Sequence, residues 1–177
     1  MGTWNQFYLR TTEANLDAAD AAVRKAFPNL EIKHHENWAA VDLGFDEFEA
    51  PEQKLATLSV QLKTDAIVLA FQSAVDAFQF YHWKNGDLLR RLIHGCFAEE
   101  RTWEKADGVA EPWEVEAFFN PKNVELAIDC CDSEAEKNKI RQAAQEHLIE
   151  PGQTIPWVDA KGAAWAVGKF YKLPDFS

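Results

Sequence analysis

A chain of 177 residues, 47% of them hydrophobic, is long enough to form one domain with a full core and too apolar to be disordered. Its 29 acidic residues outnumber its 18 basic ones, and the net charge of −11 argues against a general nucleic-acid binder and against a protein held at an anionic membrane. There is no secretory signal pattern, no apolar run of about 18 residues and no disulfide framework among the three cysteines, so we expect a cytoplasmic protein.

The first part of the chain alternates strand patterns with helix patterns. Alternating residues in 4–9 predict a strand, and a helical apolar spacing follows as far as Pro28. The stretch 30–43 predicts a hairpin, a helix is expected to start at Pro51, and the apolar run 66–71 predicts a central strand that is buried on both faces. The resulting βαββαβ order indicates an α+β fold with an antiparallel, ferredoxin-like sheet.

An extra β-hairpin is predicted by Asn85-Gly86, a strong signal for a two-residue turn. Such a turn pairs Lys84 with Asp87, and a regular ladder then places Tyr81 opposite Arg90. One face of the hairpin would carry Gln79, Tyr81, Trp83, Leu88, Arg90, Leu92 and His94, and the other would carry Phe78, Phe80, His82, Leu89, Arg91 and Ile93. Because this register separates His82 from His94, it disfavours a zinc site and leaves His94 and Cys96 as a same-face pair.

The remainder of the chain is predicted to be an acidic loop followed by helices. Glycine, prolines and carboxylates indicate a loop over 105–121, and the region 122–177 shows helical spacing, with Ser133 and Glu136 at the positions of a capping box. The last helix is expected to include 155–158. We therefore predict a single domain, with a sheet-forming part over 1–104 and C-terminal helices that pack on the sheet.

The acidic segment from Phe97 to Glu116 holds the best candidates for a binding surface. It contains two tryptophans among its carboxylates, and exposed Trp and Arg side chains are favoured anchors in protein interfaces. The alternative is an acidic loop whose Trp side chains fill the core. Including the neighbouring hairpin, the candidate ligand-binding or partner-binding residues are Tyr81, Arg90, His94, Glu99, Glu100, Arg101, Trp103 and Trp113.

These features favour a non-enzymatic protein-interaction module, for example a bacterial immunity-type protein that covers a basic site on its partner. A second hypothesis is a small-molecule-binding domain in which Tyr81, Arg90, His94 and Glu99 converge in an aromatic pocket. A third is a metal-dependent hydrolase, which would need a third ligand such as His147 or Glu99. No catalytic residue, metal ligand or cofactor is assigned, because no corresponding motif occurs in the chain. The adjacent Cys130 and Cys131 could be redox-active or simply buried, and we expect burial.

Overall fold

The chain forms an α+β fold with a seven-stranded antiparallel sheet and six helices. The predicted α+β class and the antiparallel sheet are thus confirmed. A computed structural model describes residues 2–44, 51–154 and 159–176, and the following elements are those of this part of the chain. The strands are β1 (Thr3–Arg10), β2 (Ile32–His35), β3 (Trp38–Asp42), β4 (Asp65–Gln72), β5 (Ala77–Lys84), β6 (Asp87–His94) and β7 (Trp103–Gly108). The helices are α1 (Leu16–Ala26), α2 (Glu52–Leu62), α3 (Pro112–Ala117), α4 (Pro121–Asp129), α5 (Glu134–Glu146) and α6 (Ala160–Tyr171).

The sheet has the strand order β2-β3-β1-β4-β5-β6-β7, and it buries apolar side chains on both of its faces. Successive side chains of a strand point to opposite faces, so β1 contributes to two core clusters. Phe7 packs in a cluster with Val23 of α1 and Leu55 of α2. Tyr8 belongs to a second cluster, which includes Val167 of α6. One face is therefore covered by α1 and α2, and the other by α3 and α6.

The prediction of an acidic loop over 105–121 is wrong, because this segment holds most of β7 and all of α3. Pro112 occupies the first turn of α3, where its missing N–H is not needed. Glu111 and Glu114 form a capping box at the start of this helix. The acidic residues and the proline that suggested a loop are thus the signals that begin a helix.

The C-terminal helices differ in how much they contribute to the core. The capping box at Ser133 is confirmed, since its hydroxyl accepts a hydrogen bond from the backbone N–H of Glu136. Within the described residues α4 buries none of its side chains and α5 buries only Ile140, whereas α6 buries five residues. The expected start of the last helix at 155–158 lies outside the described residues. It is therefore α6 that meets the expectation of a helix packed on the sheet.

The Asn85-Gly86 turn forms as predicted, but the ladder beyond it is shifted by a β-bulge. Both residues have positive φ, at 53° and 91°, and Lys84 pairs with Asp87. Trp83 still pairs with Leu88, but the next pair is His82 with Arg90, so Leu89 is an extra residue in β6.

The predicted register of the hairpin is therefore wrong beyond Trp83. Tyr81 pairs with Arg91 rather than with Arg90. Because the bulge moves each later pair by one residue, His82 and Arg90 share the face of α3 and α6. Tyr81 lies on the opposite face, in the cluster of α1 and α2.

Candidate functional site

The structure does not bring the predicted pocket residues together. Tyr81 is buried on the α1 and α2 face, where its ring stacks on that of Trp83 with centroids 5.4 Å apart and planes inclined by 6°. Arg90 pairs with His82 and His94 pairs with Phe78, so both lie on the other face of the sheet, beneath α3 and α6, where they are also buried. Glu99 lies in the exposed segment after β6. The four residues proposed for an aromatic pocket therefore do not converge.

Arg90 is held in a buried ion pair with Glu114 of α3. Its Nε and Nη2 atoms donate to the two carboxylate oxygens of Glu114 at 2.9 and 2.7 Å. Its Nη1 atom donates to the carbonyl oxygens of Asp107 and Gly108 at 3.3 and 2.9 Å. Burial raises the pKa of Glu114, and the guanidinium of Arg90 opposes that rise. The guanidinium thus links α3 to the sheet and is buried away from any ligand in solvent.

A second cluster, which we call the His82 cluster, consists of His82, Asp65, Glu111 and Tyr171. The Nδ1 atom of His82 lies 2.6 Å from Oε1 of Glu111, and its Nε2 atom lies 3.4 Å from Oδ1 of Asp65. The other oxygen of Glu111 accepts hydrogen bonds from the hydroxyl of Tyr171 at 2.5 Å and from the indole N–H of Trp113 at 2.8 Å. These contacts connect β4, β5, α3 and α6.

The electrostatics of the His82 cluster favour a fixed imidazolium. Burial alone would lower the pKa of His82, but the hydrogen bonds to Asp65 and Glu111 outweigh it and raise the pKa to about 9. With both ring nitrogens donating to carboxylates, His82 has no lone pair with which to accept a proton. Burial and the nearby Glu111 carboxylate raise the pKa of Tyr171, so its hydroxyl stays protonated. This arrangement stabilises the fold and is poorly suited to general base catalysis.

His94 and Cys96 do not form an activated nucleophile pair. Burial lowers the pKa of His94, whose ring lies edge-on to Trp103 at 5.1 Å. Burial raises the pKa of the Cys96 thiol to about 12, and the thiol donates to the carbonyl oxygens of Phe78 and His94. A thiol that is protonated at neutral pH is a weak nucleophile. Among the described residues, no group of three or more His, Cys, Asp and Glu side chains is arranged to hold a metal ion.

Trp103 and Trp113 are core residues and not surface anchors. They are 0% and 1% exposed, and their rings meet that of Phe118 at 5.5 and 5.6 Å. Of the carboxylates in the same segment, Glu111 and Glu114 also face the interior. The expectation of an acidic surface that carries Trp103 and Trp113 is therefore wrong, and the alternative, in which these tryptophans fill the core, is correct.

An exposed acidic segment with an aromatic side chain does exist just before β7, at residues 95–102, which we call the 95–102 loop. Glu99, Glu100 and Arg101 are exposed, and Phe97 is 62% exposed. One carboxylate oxygen of Glu104 accepts hydrogen bonds from the backbone N–H groups of Phe97 and Ala98 at 2.7 and 2.9 Å. The loop is closed by a hydrogen bond from the Gly95 N–H to the Thr102 carbonyl at 3.1 Å. Phe97 is therefore held outward by a defined backbone turn.

Beside this loop lies an open cavity of about 490 Å³, which we call the Phe97 groove. Tyr81 and Ile93 of the sheet and Phe97 of the loop provide its apolar lining. Arg91 and Lys105 contribute positive charge to the lining, and Glu52 and Glu104 contribute negative charge. Arg91 is paired with Asp107 at 2.6 Å and with Glu52 at 3.3 Å. The groove lies on the sheet face opposite to Arg90 and His94.

Sequence reasoning identified Tyr81, Glu99, Glu100 and Arg101 in this region but missed Phe97, Arg91 and the groove. It also missed Asp65, Glu111 and Tyr171 as partners of His82. The helix-start signal at Glu111-Pro112 was the one local cue that could have placed Glu111 at a structured position. The other contacts join residues that lie far apart in sequence.

Comparisons with protein-family models, with curated proteins and with solved structures found no match to this chain. Among the helices of the described residues, none has both the length and the apolar character needed to cross a membrane.

Proposed function

We propose that the protein is a non-enzymatic interaction module that binds a basic protein through the 95–102 loop and the adjoining Phe97 groove. The observation that carries this proposal is the position of Phe97. Phe97 is 62% exposed although its side chain is large and apolar, and Glu104 holds its backbone in place. An aromatic residue whose backbone is fixed before binding loses less conformational entropy in a complex, which makes it an effective anchor.

Charge supports a basic partner. Glu99 and Glu100 are exposed next to Phe97, and the whole chain carries a net charge of −11. Such a field attracts a positively charged protein and accelerates the encounter, while the apolar contact determines how long the complex lasts. Occlusion of a basic site by this loop is the mechanism of an immunity-type protein. A cytoplasmic location is part of the proposal, and the three free cysteines are consistent with it.

We also propose that the part of the fold from β1 to β4 is a ferredoxin-like unit extended by β5, β6 and β7. The position of β1 between β3 and β4 supports this, as does the packing of α1 and α2 in one core cluster on the same face. In this description the extension, rather than the ferredoxin-like unit, carries the proposed binding surface.

The test of the interaction begins with affinity capture from the source cells, identification of the captured protein, and reconstitution with purified partner. Phe97→Ser should weaken the reconstituted complex at least about 10-fold, because it removes a central aromatic contact. Val109→Ser is the matched control, since Val109 is 84% exposed and does not line the groove. Glu99→Lys combined with Glu100→Lys should slow association and reduce its dependence on salt. Equal affinities of Phe97→Ser and wild type would refute this surface.

A second candidate function is the binding of a small molecule in the same groove. The volume of about 490 Å³ lies within the usual range for ligand sites. The apolar lining suits an aromatic ring and Lys105 suits its carboxylate, whereas Arg91 is already paired with Asp107 and Glu52. A panel of aromatic carboxylates, screened by ligand-observed NMR, tests this function. Binding that is lost in Lys105→Ala, with the protein complex unaffected, would favour the small molecule. The third hypothesis, a metal-dependent hydrolase, is tested by metal analysis of the purified protein.

A further inference from the structure

Cys130 and Cys131 form an accessible pair of thiols at the turn between α4 and α5. Cys130 caps the C-terminus of α4 and is exposed, and Cys131 is partly buried, so the expectation that both are buried is wrong. Both thiols are free. The sulfur of Cys131 donates to the carbonyl oxygen of Ala127, a single contact that a ligand can replace. Since α4 buries none of its own residues, the turn is open to solvent.

Adjacent cysteines are poorly placed for a direct disulfide bond. Neighbouring Cα atoms across a trans peptide lie about 3.8 Å apart, whereas disulfide-linked Cα atoms are usually separated by at least about 4.4 Å. The pair therefore tends to remain a dithiol. A larger atom that bonds both sulfurs holds them farther apart than an S–S bond does, and it relieves this restriction.

The surroundings of the pair select the charge of such a ligand. Partial burial, Glu136 and Asp132 raise the pKa of the Cys131 thiol, and Lys137 opposes that rise. Reactions that require two thiolates, such as capture of a soft cation, would add negative charge next to these carboxylates. A neutral compound that condenses with two protonated thiols adds none.

We propose that Cys130 and Cys131 form a dithiol site for neutral trivalent arsenicals. In the condensation, each S–H bond and the arsenic–oxygen bonds break and two As–S bonds form. The two thiol protons leave with the displaced oxygen as water, and arsenic remains trivalent, so no oxidant or reductant is needed. This site is independent of the Phe97 groove and of the proposed interaction function.

Phenylarsine oxide provides the test, because a stable cyclic product requires two neighbouring thiols. Titration of the native protein should consume two thiols per bound arsenical, add one phenylarsine group by intact-mass measurement, and be reversed by a dithiol but not by an equal concentration of a monothiol. Cys130→Ser and Cys131→Ser should each weaken binding at least 100-fold. Cys96→Ser is the matched control and should bind as the wild type does, because Cys96 is enclosed between two carbonyl groups.

Two results would overturn the proposal. One is a native protein that binds no phenylarsine oxide at micromolar concentration while its unfolded form does. The other is equal binding by Cys130→Ser and the wild type. Circular dichroism of each variant tests whether it is folded, and a loss of binding in a folded serine variant reports on the site itself.

Discussion

The His82 cluster predicts that the free energy of unfolding falls as pH rises from about 6.5 to 9. The pKa of His82 is raised from its ordinary 6.5 to about 9 in the folded protein. Between these values the folded protein keeps a proton that the unfolded chain has released, so the stabilisation is complete below pH 6.5 and is lost as pH approaches 9. The loss amounts to about 1.4 kcal/mol per pH unit and about 3 kcal/mol in total. No reduction for solvent screening is needed, because His82 is buried.

Urea unfolding at pH 6.5, 7.5 and 8.5 measures this effect in the wild type and in His82→Gln. The stability difference between the two should be largest at pH 6.5 and should shrink by about 2 to 3 kcal/mol at pH 8.5. His35→Gln is the matched control, since His35 is exposed on β2 and lies outside the cluster. A difference that stays constant across this range would falsify the assignment of His82 as an imidazolium held by two carboxylates.

Other titrating groups do not disturb the comparison. Cys96 has its pKa raised from an ordinary 9.0 to about 12 by burial, so it reduces stability at alkaline pH in both proteins and cancels in the difference. The hydrogen bond to His82 lowers the pKa of Asp65, which contributes stability that is present above its ordinary 3.8 and is lost as pH falls. That loss of stability occurs well below the measured range of pH 6.5 to 8.5. The shifts of Asp65 and His82 arise from the same contact, so their stabilising effects are not added together.

Two further substitutions test the structural contacts by urea unfolding. Glu114→Gln should lower the free energy of unfolding by about 3 to 5 kcal/mol, because it leaves the buried Arg90 charge uncompensated. The control Glu116→Gln, at an exposed position, should change it by less than about 0.5 kcal/mol. Equal effects of the two substitutions would refute the buried ion pair. Gly108→Ala should cost about 3 kcal/mol or more, because Gly108 has φ 88° and an added Cβ would lie 2.0 Å from the carbonyl oxygen of Leu89. Gly152→Ala, with φ 84° and open space around it, should cost only about 1 kcal/mol, and a similar cost at both glycines would show that the bulge is not packed against β7.

The features that the sequence predicted correctly depend on residues close together in the chain. The strand pattern of 66–71, the Asn85-Gly86 turn and the capping box at Ser133 each follow from a few neighbouring side chains, and all three occur in the structure. The α+β class follows from the order of such local patterns. These parts of the fold could therefore be predicted without any knowledge of tertiary contacts.

The features that were missed depend on contacts between distant segments. The bulge at Leu89 leaves no mark at the turn itself, and the backbone that packs against it comes from Gly108, on the neighbouring strand. Composition likewise could not show whether Trp103 faces solvent or the core, because the acidic residues on either side suit both arrangements. Sequence reasoning was least reliable where one distant residue decided which face a side chain occupies.

The bulge also explains why the acidic segment has two different roles. By placing His82 and Arg90 on the same face, it gives the fold two buried cations that point toward α3. Glu111 and Glu114 at the start of α3 neutralise these cations. The ladder shift therefore explains why these two carboxylates face the interior. Glu99 and Glu100 precede β7 and are exposed beside Phe97. A regular hairpin would have directed Arg90 toward the groove, so the extra residue in β6 is what allows Arg90 to form the interior ion pair with Glu114.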